Sequence, residues 1–390
     1  MTVAYPFNET GTLDLHEAYR EAQREPGMWR VQLPHGEPAW LATRYADARL
    51  VLGDKRFSRA KAANHDEPRM REGRATGGIL SMDPPEHTRL RTLVAKAFTV
   101  RRVEELRPRA RSIAETLVAD MVEAGPPTDL VDKFALPLPV AVICELLGVP
   151  ITDRPKFRAW SDDALSTSRL TTDQFLASRE AMRDYMRGLI AEHRKAPQDD
   201  LMTALIEARD KADRLSELEL VDLCIGILVA GHETTASQIP NFLVTLLDHP
   251  AALEKLRKYP TQIPAAVEEL LRFVPLGAGA GFPRYATEDV QVGKVLVREG
   301  DPVVVAIGAA NRDALRFDNA DQLQVDRPQP PHLGFGHGVH HCLGAALARM
   351  ELQEALRALL LELPPLHLAG DIQWKTEMLV RGPVTMPIGW

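Results

Sequence analysis

The run from Ser216 to Asp248 constrains the fold more than any other stretch. It opens on Ser-Glu-Leu-Glu, where the Ser216 hydroxyl can accept from the amide three residues on while the Glu219 carboxylate reaches back, the capping-box arrangement. The periodicity then predicts a helix over 217–248. At roughly 1.5 Å per residue it would be about 48 Å long, enough to cross a domain, so the remaining chain must be built around it. Within it the apolar LCIGILVA gives way to Gly231, His232, Glu233, Thr234 and Thr235. Threonine hydroxyls can bond back to carbonyls one turn earlier and Gly231 removes a side chain, so this segment can open a groove for a small molecule or water. A polar turn between helices is the plainer alternative. Glu233, if buried beside Thr234, can relay protons into such a groove. HETTA also approaches the zinc motif HExxH, but Ala236 stands where the second histidine must be. Pro240 removes an amide donor and crowds the carbonyl of Ala236, so a kink is expected just beyond Thr234.

No Ser/Gly-rich linker or charge block divides the 390 residues, so residues 1–390 are expected to form one large domain. The segments MWRVQL and PAWLAT alternate about a turn and predict a β-hairpin. Further helices are predicted over 85–97, 103–124, 175–193, 264–273 and 343–363, with VQVGKVLV and DPVVVAIG as strands. The fold class is therefore mainly α with minor β. A formal net charge of −7 and a pI near 6.0 argue against general binding to nucleic acid or anionic membrane. The N-terminal residues show neither a signal peptide nor a spanning segment, so a cytoplasmic protein without membrane insertion is expected. Cys144, Cys224 and Cys342 lie too far apart in sequence for a disulfide framework or a zinc ribbon, and the first two sit in apolar helical runs, as core residues do.

Cys342 is different. It lies in FGHGVHHCLG, beside His340 and His341, with Gly336 and Gly338 before it, Gly344 after it and an Ala/Leu-rich helix following. A helix N-terminus stabilises a thiolate. Glycines let amides approach the sulfur and let a flat cofactor lie against the chain. A zinc site from His337, His340, His341 and Cys342 is the rival, with its ligands crowded into six residues and no second cysteine pair. Covalent c-type haem attachment is excluded by the missing CxxCH.

FGHGVHHCLG resembles the haem-ligating loop of the cytochrome P450 family. Glu269 and Arg272 in EELLR resemble that family's ExxR pair and AGHETT its oxygen-binding groove, all in family order across essentially the whole chain. The resemblance implies the cytochrome P450 fold, with haem b between the long central helix and the cysteine-loop helix and Cys342 as the axial thiolate. It implies cofactor contacts from Phe335 and Gly344, and propionate contacts from Arg284, from His340, and from His87 and Arg91, an HxxxR pair one turn apart on one helix face. Glu269 and Arg272 would be structural, an i,i+3 ion pair stiffening the cysteine side of the pocket.

The same resemblance implies a monooxygenase that activates O2, with Glu233 and Thr234 as acid and alcohol. Electrons would come from NAD(P)H through a reductase and a ferredoxin. An alternative class is a haem-thiolate sensor or carrier, against which the acid and alcohol pair argues, since a sensor needs no proton delivery. Between Arg89 and Arg111 eight basic residues face two acidic ones, Glu104 and Glu105, which suggests either a ferredoxin-docking patch or a solvated helix face. Substrate contacts are expected from Ile79 and Leu80, from Ala230, from Leu276, Ala278 and Ala280, from Leu379 and Val380, and from the region 160–185. These mostly small or apolar segments favour a bulky hydrophobic metabolite such as a macrolide, terpenoid, steroid or polyketide, bound by a monomer, with 73–78 as a lid.

Overall fold

Trp29–Gln32 and Ala39–Ala42 pair antiparallel, Trp29 opposite Leu41 and Val31 opposite Ala39, so the early hairpin forms as its alternation predicts. The structure is a computed structural model that describes every residue except 1, 8–10, 25–27, 75–76, 212–213, 280 and 329–330. Its helices, in chain order, are α1 (Glu17–Arg24), α2 (Tyr45–Gly53), α3 (Glu86–Ala95), α4 (Val100–Ala124), α5 (Pro137–Leu147), α6 (Arg154–Leu165), α7 (Thr172–Lys195), α8 (Leu201–Asp210), α9 (Glu217–Leu247), α10 (Pro250–Lys258), α11 (Ile263–Phe273), α12 (Ile307–Ala310) and α13 (Ala345–Leu361). They divide between two compact units.

The first unit comprises residues 1–83, 264–342 and 375–381. Its six-stranded mixed sheet runs in the order Thr2–Ala4, Trp29–Gln32, Ala39–Ala42, Pro302–Val305, Arg284–Ala286, Phe57–Ser58. Successive strand residues face opposite sides. Val303 and Val305 accordingly enter a core with Ala48, Val51, Phe57 and Phe317, while Val304 joins Tyr5, Tyr19, Val31 and Leu41 on the other side. A strand covered on both faces has no polar alternation, which is why DPVVVAIG reads as a continuous apolar run. VQVGKVLV forms its own hairpin, Val290 opposite Val297.

The second unit comprises residues 84–263, 343–374 and 382–390. Here α9 packs against α5, α7 and α13, and α4 lies along α13. Both halves of the capping box at Ser216 form: the Glu219 amide donates to Ser216 Oγ at 3.2 Å and the Ser216 amide to Glu219 Oε2 at 2.7 Å. From Gln238 to Leu246 every residue of α9 is buried. The helix is long and apolar enough by composition to cross a membrane, and its buried faces are those of a core helix. It continues through Pro240 as one element. Cys144 and Cys224 are buried, and burial pushes the Cys224 thiol up to about 12, as expected of core cysteines.

Several boundaries differ from the sequence reading: α4 and α7 begin at Val100 and Thr172 rather than at residues 103 and 175, and α13 ends at Leu361 rather than at residue 363. The last long helix begins at Ala345 rather than at residue 343, because Gly344 takes the N-cap position with φ −84° and ψ 14°. The apolar helical run that holds Cys144 is α5, whose bounds the sequence reading did not give because a helix buried on nearly every side shows no clear polar stripe.

Candidate active site

In the first unit the site is built on α11. Glu269 and Arg272, one turn apart, form a two-pronged ion pair at 2.7 and 2.8 Å, with their side chains 4% and 2% exposed. Arg327, not foreseen from the sequence, adds a second guanidinium at 3.1 Å from both carboxylate oxygens of Glu269. Arg272 also donates to the carbonyls of Asn311 and Ala320, and Arg327 to those of Asp318, Asn319 and Gln322. The pair is thus a clamp that fixes the otherwise irregular segment 311–327 on α11. Arginine suits this because its planar fork binds a carboxylate and several carbonyls at once.

The clamp reaches the cysteine loop through Asn311, whose side-chain oxygen accepts from the Leu333 amide at 2.6 Å. Leu333 in turn accepts from Gly336, and Phe335 accepts from the Cys342 amide at 2.8 Å. Gly338 has φ +72°, and a Cβ there would lie 2.4 Å from the Leu52 carbonyl, so only glycine lets the loop lie this close to α2. The side of the loop at Gly336 is open: the nearest atom to a Cβ built there is the His340 carbonyl at 3.9 Å. Cys342 is exposed, Phe335 and His340 half-buried.

Arg284 leaves the sheet beside Arg59, and both are buried, Arg59 more completely. Burial first, and then the like charge of Arg59, hold the Arg284 guanidinium down to about 9, with Asp83 opposing. Among the described residues Arg284 makes one hydrogen bond, to the Phe282 carbonyl at 3.2 Å, out of five N–H donors. Arg59 donates to the carbonyls of Pro283 at 2.6 Å and Leu80 at 3.2 Å, thereby holding the short turn that carries Ile79 and Leu80. Leu276 and Ala278 form a ladder with Leu379 and Val380: the Ala278 amide donates to Leu379, the Arg381 amide to Leu276, and Gly277 bridges Val380. Ala280 lies outside the described residues, as do residues 75–76 of the expected lid.

In the second unit one stripe of α9 is open. Gly226 and Ala230 are exposed and Thr234 half-buried, at spacings of four residues on one helix face. Thr234 Oγ1 donates to the Ala230 carbonyl at 2.9 Å. The expected glycine is not the one that opens this stripe. A Cβ on Gly231 would meet Ile143 Cδ1 at 2.6 Å, so Gly231 lets α5 pack closely, while nothing lies within 4 Å of a Cβ at Gly226. Glu233 is buried on the adjoining face, with Ser237 Oγ donating to it at 3.4 Å. Gly344 is likewise open, with nothing within 4 Å of a Cβ there. On α3, His87 is buried and Arg91 half-buried one turn on, as the HxxxR spacing requires. Around 160–185 the aromatics pack on one another, Phe157 on Tyr185 at 5.3 Å and Trp160 on Tyr185 at 5.4 Å, and Tyr185 donates to Asp153.

Glu351 on α13 was not foreseen. It is fully buried, and burial pushes its carboxyl well above the usual range, the neighbouring Thr235 opposing this only in part. A glutamate within an Ala/Leu-rich helix was the available signal. The basic segment 89–111 is largely compensated: Arg89 pairs with Glu219, Arg101 and Arg102 with Glu105, Arg109 with Glu145, and both Arg107 and Arg111 with the buried Glu354. Most of the acids lie far off in sequence, so the linear count of eight against two overstated the charge of this face.

The cytochrome P450 profile matches residues 6–259 and 261–376. Mycinamicin IV hydroxylase/epoxidase of Micromonospora griseorubida is 53% identical, covering 99% of this chain and 98% of its own length. Nocardicin C N-oxygenase of Nocardia uniformis subsp. tsuyamanensis is 49% identical over 100% of this chain and 99% of its own. The crystal structure of HinD with NMFT and NO superposes with a TM-score of 0.97 at 48% identity, covering 100% of both chains. With a clamped cysteine loop, an ExxR pair and an open Thr234 stripe already in place, these matches lead to one conclusion: the chain belongs to the cytochrome P450 family and is a haem-thiolate monooxygenase.

Proposed function

We propose that residues 1–390 act as one monooxygenase domain in which Cys342 ligates haem b and Arg284, His340, His87 and Arg91 receive its propionates. The exposed Cys342 thiol on a clamped, glycine-opened loop carries this reading. Two further observations support the fit. Arg284 is buried and, among the described residues, uses one of its five donors, and a carboxylate would relieve the cost of burying its charge. Gly336 and Gly344 leave open space where a side chain would obstruct a flat macrocycle.

Bound through a thiolate, haem supplies the electron push that favours O–O cleavage and oxygen insertion. The chain supplies protons and order. Thr234 Oγ1 sits at the open stripe, its own proton directed to the Ala230 carbonyl, so its lone pairs can accept from a water or from Glu233. Glu233, next to Thr234 in the chain and held by a bond from Ser237 Oγ at 3.4 Å, is the acid proposed to pass protons toward that hydroxyl. Such delivery favours turnover over a sensor or carrier.

The substrate is proposed to be a bulky hydrophobic secondary metabolite, hydroxylated or epoxidised. The 53% relative is named for mycinamicin IV and the 49% relative for nocardicin C, so macrolide-type scaffolds come first, with N-oxygenation as the outcome that would place this chain with the second. Electrons are proposed to arrive from a ferredoxin and its reductase, to a cytoplasmic monomer without membrane insertion. An optical titration of the ferric protein against hydrophobic natural products tests the reading. A spin-state shift of the Soret band with one scaffold identifies the substrate class; absence of a thiolate-type Soret band after expression with haem supply overturns the assignment of Cys342.

A further inference from the structure

We propose that the N-terminal segment is a positioning element for substrate, acting through Tyr5 and Arg381 on the ladder formed by 276–279 and 379–381. The inference rests on the proposed reading of Leu276, Ala278, Leu379 and Val380 as substrate contacts. Among the described residues two backbone hydrogen bonds, flanking the Gly277–Val380 bridge, join these segments, and a two-stranded ribbon of that length is marginal by itself. It is held from the N-terminal side at two points.

Tyr5 is 3% exposed and its hydroxyl donates to the Gly279 carbonyl, 274 residues away. Its ring is fixed edge-on against Phe7 at 5.1 Å and Tyr19 at 6.2 Å, within the core cluster under the sheet. At the other strand Arg381 is 7% exposed, and its guanidinium donates to the carbonyls of Thr12, Leu13 and Asp14. Three successive carbonyls bound by one planar guanidinium, with the Asp14 charge also acting on it, fasten one segment to another. Gly308 adds a close approach nearby: a Cβ there would meet Pro275 at 2.8 Å and Leu15 at 3.3 Å, so its absence brings the start of the ladder near the N-terminal segment. These bonds of Tyr5 and Arg381 are to backbone carbonyls of the ladder and of the N-terminal segment. They set where the ladder stands.

Tyr5→Phe removes the tether and keeps the ring. In the holoprotein, hydrogen exchange at the Ala278 and Arg381 amides is expected to rise at least about tenfold while that of Val303–Val305 stays unchanged. Binding is read from the Soret shift with two iron ligands, imidazole, too small to reach far from the iron, and clotrimazole, a bulky azole. Clotrimazole should weaken several-fold and imidazole by less than twofold, with haem content unchanged. Arg381→Lys, which keeps the charge but loses the fork, should act in the same direction. Unchanged exchange at the ladder overturns the tether. Faster exchange with unaltered clotrimazole binding overturns the proposal at a different point, the ladder's assignment as a substrate wall. Equal weakening of both ligands overturns it in favour of a general effect on the haem site, and failure of imidazole to shift the Soret band in the parent protein strikes the haem reading itself.

Discussion

At the scale of single residues, Thr234 and Arg284 make separable demands. Thr234 offers one hydroxyl at an open helix face, so Thr234→Ala should leave haem content and the Soret band intact while uncoupling NAD(P)H consumption from product, with peroxide released instead; the ratio of product to electrons consumed measures this, and an unchanged ratio removes Thr234 from the proton path. Burial first and then the like charge of Arg59 push the Arg284 guanidinium down to about 9, well below its ordinary range. Below about pH 9 both folded and unfolded forms are charged and the cost of burial is fully present. Above that, up to the ordinary range of a guanidinium, the unfolded form binds more protons, so that cost fades as pH rises. Arg284→Gln should therefore raise the Tm of the haem-free protein at pH 7 and speed haem loss from the loaded protein. A fall in both would mean that Arg284 is supported by groups other than an anion. The identities of both residues were legible from their motifs, but their burial was not, since Arg284 looks like any cation until Arg59 is seen beside it.

Elements show where sequence reading succeeds and stops. The capping box at Ser216, the hairpin at Trp29–Ala42 and α9 itself follow from local rules, and the structure keeps them. Arg327 was invisible because its partner Glu269 lies 58 residues away, and Gly231 was misread because its neighbour is Ile143, on another helix. Local pattern carries no information about such partners. Glu269→Gln leaves two buried guanidiniums facing a neutral amide, and should cost about 3–5 kcal/mol, the range for removing one partner of a buried ion pair. The loss should appear as a lower Tm and as faster exchange at the Leu333 and Cys342 amides, because the clamp on 311–327 is what steadies the loop. A Tm within a degree of the parent would show that the backbone carbonyls alone carry the clamp.

For the molecule as a whole, charge is arranged more evenly than the linear sequence implies. Because the arginines of α3 and α4 are mostly paired, reduction by a ferredoxin should depend only mildly on ionic strength, with rates falling by at most about tenfold as the screening length shortens toward 8 Å. Arg101→Glu with Arg102→Glu should slow it further only at low salt; a steep salt dependence would locate the docking site on a different, uncompensated face. Glu269, Arg272, Arg327, Asn311 and Gly338 meanwhile fix the cysteine loop using groups that the chain carries itself. The frame of the loop is thus built from the chain's own contacts. Assembly then has a direction that can be tested: slow exchange at the Leu333 and Cys342 amides is expected in the haem-free protein as well, and fast exchange there would place the ordering of the loop after cofactor capture.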